Sequence, residues 1–185
     1  RKVLVEQLTG STITVAKDVK LQVEFNPATV AKYRLIGYEN RVMAAEDFRD
    51  DTKDAGEIGA GHSVTALYEI VPRGVAPGRG AEPLKYQQQP EPPVLKGADG
   101  EPSDDLLTVK LRWKQPEGSV STLKEFPLAD RGGAFEEASD NLRFASAVAS
   151  FGMLLRGSKE SGEMTYKKVG QIAGEALGAD SGSYR

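Results

Sequence analysis

Four carboxylates and the chain's single histidine fall within thirteen residues, in the run Asp50-Asp51-Thr52-Lys53-Asp54-Ala55-Gly56-Glu57-Ile58-Gly59-Ala60-Gly61-His62. Asp50, Asp51, Asp54, Glu57 and His62 are the residue types that hold a divalent metal or move a proton. They are the candidate metal ligands of this chain. The calcium loop of an EF-hand wants oxygen ligands at positions 1, 3, 5 and 12, with glycine at 6. Counted from Asp50, those later positions hold Thr52, Asp54, Gly61 and, at 6, Ala55. Counted from Asp51 they hold Lys53, Ala55, His62 and Gly56. The first register lacks the glycine and the closing carboxylate, and the second lacks most ligands. Zinc of the usual kind is excluded too, because there is no second imidazole and no cysteine anywhere. General-base chemistry at His62 needs an orienting acid and a nucleophile. Asp50, Asp54 and Ser63 are near in sequence, and sequence alone does not bring them together. The bland alternative is a solvated acidic turn, shaped by Gly56, Gly59 and Gly61, that feeds the strand Val64–Ile70.

Other motifs of chemistry are missing. The glycine-rich run Gly74–Gly80 lacks the lysine and hydroxyl ending of a phosphate loop and precedes no helix. Gly56–Gly61 leads into a strand rather than out of one into a helix, so no helix dipole stands behind it. The formal net charge of -3 offers no basic stripe for phosphates, so nucleic acid is not an expected partner. No apolar run is long enough to span a bilayer. The catalytic and cofactor-binding sets are therefore empty in this reading.

The elements that must position these residues follow from periodicity. Val19, Leu21, Val23 and Phe25 alternate with Lys20, Gln22 and Glu24, the pattern of a half-buried antiparallel strand. A turn near Lys17-Asp18 is expected before it, and another at Asn26-Pro27 after it. An earlier strand is expected in Lys2–Leu8, and another around Leu35-Ile36 with Gly37 as a bulge. Leu107, Val109, Leu111 and Trp113 alternate with Thr108, Lys110, Arg112 and Lys114, which predicts a core-facing Trp113 and a solvated basic face. Gln115–Gly118 turns this strand into one through Val120, Leu123 and Phe126. From residue 134 the period becomes helical, with Phe135, Ala138, Leu142, Ala145 and Ala149 on one stripe. A second helix carries Tyr166, Val169, Ile172 and Ala173, and Gly178 ends it. Residues 73–105 are rich in proline, glycine and glutamine and read as a flexible surface insertion. The expectation is an α+β domain: an antiparallel, β-sandwich-like sheet portion with two C-terminal helices packed on it. It spans 1–185 as a single accessory domain, with its helical subregion at 134–178.

"AKDVKLQVEFNP", "YRLIGYENR" and "DDTKDAGEIGAGH", with the later "FASAVASFGMLLRGS" and "YKKVGQIAGEALG", resemble a domain of unknown function. It lies downstream of the von Willebrand factor A domain in bacterial A-domain-containing proteins. The resemblance implies a non-enzymatic accessory or interaction domain of an extracytoplasmic protein of the envelope. Its implied partners are the preceding A domain and an envelope protein. Any divalent metal would sit in that A domain, since no Asp-x-Ser-x-Ser adhesion motif occurs here; no cofactor is implied for these residues. Two other readings stay open: a metal-dependent or hydrolytic site on the loop 50–62, and a carbohydrate-binding sandwich. The latter requires an exposed aromatic platform.

Overall fold

A computed structural model describes residues 13–37, 42–74, 103–180 and 185. The expected strand in 2–8 and residues 75–102 of the insertion lie outside the described residues. The chain divides into two compact units. One is a sheet unit ending at Asp130. The other comprises Arg131–Arg185 with the short segments Leu35–Glu39 and Thr65–Tyr68.

Six strands are described: β1 (Thr14–Phe25), β2 (Val30–Ile36), β3 (Gly56–Gly59), β4 (Leu67–Pro72), β5 (Asp105–Lys114) and β6 (Ser121–Ala129). Four of them form one sheet in the order β3-β1-β5-β6, every neighbouring pair antiparallel. β2 and β4 pair separately. The hairpin β5–β6 closes through the expected turn, in which the Gly118 N–H donates to the Gln115 carbonyl at 2.9 Å. Asn26 fastens β1 to the start of β5. Its amide donates to the Ser103 and Asp105 carbonyls at 3.2 and 2.7 Å.

Several expectations are corrected. The chain does not turn at Lys17-Asp18. β1 runs through it with register shifts between Ala16 and Val19 on one side and between Lys17 and Lys20 on the other. Asp18 itself has φ 51°. Aspartate is one of the few non-glycine residues that enters this left-handed region readily, so the strand bulges there instead of ending. Gly37, with φ 78°, stands just past β2 rather than as a bulge inside it. Gly56–Gly59 is an edge strand on β1, not a glycine turn. The following strand begins at Leu67, leaving Val64 exposed.

The helical unit holds α1 (Asp140–Leu155) and α2 (Tyr166–Glu175), packed on each other. Ser139 caps α1 by accepting from the Leu142 N–H, and Thr165 caps α2 by accepting from the Lys168 N–H. Phe135 and Ala138 precede the helix, because the chain there forms only a 3-10 turn, Phe135–Glu137. Ala147, Val169 and Ala176 are the buried apolar residues of this unit. At the end of α2, Gly178 has φ 59°, and a Cβ there would meet the Asp140 carboxylate at 3.0 Å. Both facts favour glycine at that position.

Candidate functional site

Strand parity puts Lys20, Gln22 and Glu24 of β1 on the same sheet face as Arg112 and Lys110 of β5, since Lys20 pairs with Arg112 and Gln22 with Lys110. A sequence reading makes this the solvated face. The structure covers it. Lys20 is 4% exposed and Lys114 9%, and the side chains of Lys110 and Arg112 retain only about a fifth of their exposure. The cover is the segment 45–55. It opens with a 3-10 turn, Ala45–Phe48, whose Phe48 is buried. The apolar ring anchors the cover, and the backbone behind it offers carbonyls to the lysines beneath.

Each buried ammonium is then satisfied in turn. Lys20 Nζ donates to the Asp47 carbonyl at 3.2 Å and to the Asp50 carbonyl. Lys114 Nζ donates to Asp18 Oδ2 at 2.7 Å and to the Asp51 carbonyl at 2.8 Å. Asp18 uses its other oxygen, Oδ1, to accept from the Ala55 N–H at 3.2 Å. One carboxylate, projected by the bulge in β1, therefore grips both the lysine and the end of the covering loop. A buried charge is tolerated only when paired and hydrogen-bonded in this way.

The candidate ligands disperse among these contacts. Asp50 turns back on its own loop, accepting from the Thr52 N–H at 2.8 Å and the Thr52 hydroxyl at 2.6 Å. Asp51 faces Arg112, with a 3.5 Å nitrogen–oxygen separation, and Arg112 Nε also donates to the Ser121 hydroxyl at 2.6 Å. Asp54 lies close enough to add to the field that holds Lys114 protonated. Glu57 is elsewhere, accepting from the Thr14 hydroxyl at 3.4 Å on β3. His62 is exposed, and its backbone N–H donates to the Gly59 carbonyl at 3.1 Å. Among the described residues, no group of three or more histidine, cysteine, aspartate or glutamate side chains converges on a metal-sized point.

Sequence reasoning missed Asp18, Lys20 and Lys114, the residues around which the loop is organised. One signal was available: aspartate is depleted in strands, yet Asp18 interrupts an alternating apolar run. The electrostatics fit a lock rather than a nucleophile. The hydrogen bond to Asp18 raises the Lys114 pKa above the ordinary lysine value, with the charges of Asp18, Asp51 and Asp54 adding to it. A nucleophilic lysine needs the opposite shift.

The same contacts fix the pH dependence. Asp18 is held below the usual aspartate range chiefly by its hydrogen bond from Lys114, then by that from Ala55. Asp50 is lowered first by its bond from the Thr52 hydroxyl, and Asp51 first by one from Ser121. Carboxylates with depressed folded values contribute stability that is fully present above the unfolded aspartate pKa of about 3.9. It is lost as pH falls through the folded values. Lys114, being raised, contributes stability fully present below the unfolded lysine pKa of about 10.4 and lost as pH rises through its folded value. Melting curves followed by circular dichroism should show a plateau at neutral pH, with a decline beginning below about pH 4. Asp18→Asn should shrink that acid decline. An unchanged acid slope would mean that Asp18 is not among the carboxylates that govern it.

Over residues 10–185, the chain matches the family described as "Uncharacterized protein YfbK, C-terminal". It is 41% identical over 185 residues to "Uncharacterized protein YfbK" of Escherichia coli (strain K12). The alignment covers 100% of this chain and 30% of that relative, so the chain spans less than a third of the relative's length. No solved structure matches it.

Proposed function

The chain belongs to the family of the YfbK C-terminal domain, and from that premise we propose that it is a non-enzymatic accessory domain serving a bacterial von Willebrand factor A domain. The family match over residues 10–185 carries this reading, because it covers the sheet and the helices together. That coverage also favours one accessory domain over two independent modules. Its place is outside the cytoplasm, at the envelope, following the resemblance that the family match bears out. Its partners are the A domain and, through the pair, an envelope protein. The geometry of the acidic loop favours the same conclusion. Its carbonyls and two of its carboxylates are engaged in holding the loop and the lysines beneath it, and Lys114 is held protonated. No observation favours the metal-dependent or hydrolytic reading of Asp50, Asp51, Asp54, Glu57 and His62. Among the described residues, no helix is long and apolar enough to cross a membrane.

The test is a comparison of partners captured from envelope extract by the A-domain protein with and without residues 1–185. The accessory reading expects at least one partner to depend on these residues. Identical partners at identical yield would remove the recognition role.

A further inference from the structure

β3 pairs with β1 only as far as Val19, so along Lys20–Phe25 the far edge of β1 has no strand beside it among the described residues. A cleft of about 640 Å³ opens at this edge. It is lined by Glu46 and Arg49 of the covering turn, Tyr33 of β2, and Gln22, Glu24 and Lys110 of the sheet.

Tyr33 lies against Phe25 with ring centroids 4.1 Å apart and planes 19° from parallel. Phe25 thus supports one face of the tyrosine ring, while the residue as a whole stays 61% exposed. An exposed ring fixed from behind is a flat apolar platform. Its electron-rich face attracts the weakly positive C–H edges of a partner. The surrounding groups are polar and their charges balance. Lys110 pairs with Glu24 at 2.5 Å, and Glu46 offsets Arg49 nearby. A polyanion gains little from such a balance, and a greasy ligand would strand the polar lining. A neutral polyhydroxylated ring suits it. Its C–H face can lie on Tyr33, while its hydroxyls donate to Glu24 and Glu46 and accept from Arg49 and Gln22.

We propose that the cleft lined by Tyr33 and the Glu46–Arg49 turn is a binding site for a neutral saccharide. It goes beyond the accessory reading and stands independently of it, since an A-domain partner can be gained or lost whether or not sugar binds.

The test is saturation-transfer NMR on the intact chain with a panel of neutral gluco-, manno- and chito-oligosaccharides at millimolar concentration. At least one should receive saturation on its ring protons and shift the Tyr33 ring signals. Tyr33→Ala should weaken that binding about tenfold or more. Tyr33 is largely exposed, so its removal should leave the circular dichroism melt nearly unchanged. Arg49→Ala, also at an exposed position, gives a second reading if the first variant misfolds, and it should weaken binding as well. Absence of transfer from every sugar would overturn the proposal. So would binding unchanged in both variants, or displacement by inorganic phosphate.

Discussion

Replacing Asp18 with asparagine should lower the melting temperature by about 5–10 °C, the low end of the effect of breaking a buried charge pair, because Asp18 itself is only partly buried. Asparagine tolerates the left-handed backbone at φ 51° nearly as well as aspartate, so the change tests the carboxylate and not the bulge. Two donors meet separate oxygens of Asp18: Lys114 Nζ at Oδ2 and the Ala55 N–H at Oδ1. Asparagine has one oxygen. Whichever donor it keeps, the other faces an amide NH₂. Where the oxygen stays with Ala55, the Lys114 ammonium lies under the loop with the Asp51 carbonyl as its remaining acceptor.

The companion variant decides the interpretation. If the cost comes from an orphaned ammonium, Lys114→Met in the Asp18→Asn background should recover a substantial part of the lost stability. Removing both partners of a buried pair is often near neutral, whereas removing one is not. Thermal melts of the two single variants and the double variant form a cycle that measures the coupling. A double variant as unstable as the sum of the singles would show that Asp18 acts only through the Ala55 contact.

How far this was readable in advance depends on which physical signal each feature leaves. β5 and β6 were legible because period-two alternation from Leu107 to Trp113 and the Gln115–Gly118 turn are local signals, and the hairpin places both strands by itself. The two helices were legible from their apolar stripes, although the first begins at Asp140, where Ser139 can cap it, and not at residue 134. The face of the sheet was not legible. Alternation tells which residues share a side, and a rule that polar means solvated then assigns that side wrongly. Lys20 and Lys114 are buried because a loop distant in sequence supplies carbonyls at Asp47, Asp50 and Asp51. No local pattern records that a backbone carbonyl will be the partner. Carboxylate density marks the five candidate ligands, but it carries no record that the loop grips the sheet through its backbone. Trp113 comes out half-buried where the alternation predicts it core-facing. The stacking of Tyr33 on Phe25 of β1 is likewise not revealed by sequence spacing.

Phe48→Ala is the second large effect expected, costing about 3 kcal/mol, at the lower end for a buried phenylalanine truncated to alanine. Phe48 is 6% exposed at the end of a single 3-10 turn, so its ring is the apolar anchor of the covering segment. The hydrogen bonds of that segment depend on its position. Asp47 and Asp50 accept from Lys20, and Asp51 accepts from Lys114, only while the loop stays on the sheet. Loss of the ring should therefore raise amide hydrogen exchange across 45–55 first, and at Lys20 and Lys114 with it, before the β5–β6 hairpin responds. The two variants also predict each other. If Phe48 and Asp18 hold the same loop, the one from its apolar side and the other through Ala55 and Lys114, then once the loop is released by Phe48→Ala, Asp18→Asn has less left to lose. Urea unfolding of Phe48→Ala/Asp18→Asn should then show a loss smaller than the sum of the single losses by more than about 0.5 kcal/mol, the scatter expected of independent sites. Strict additivity would separate the ring from the lysine clamp and leave the acidic loop as two unrelated contacts.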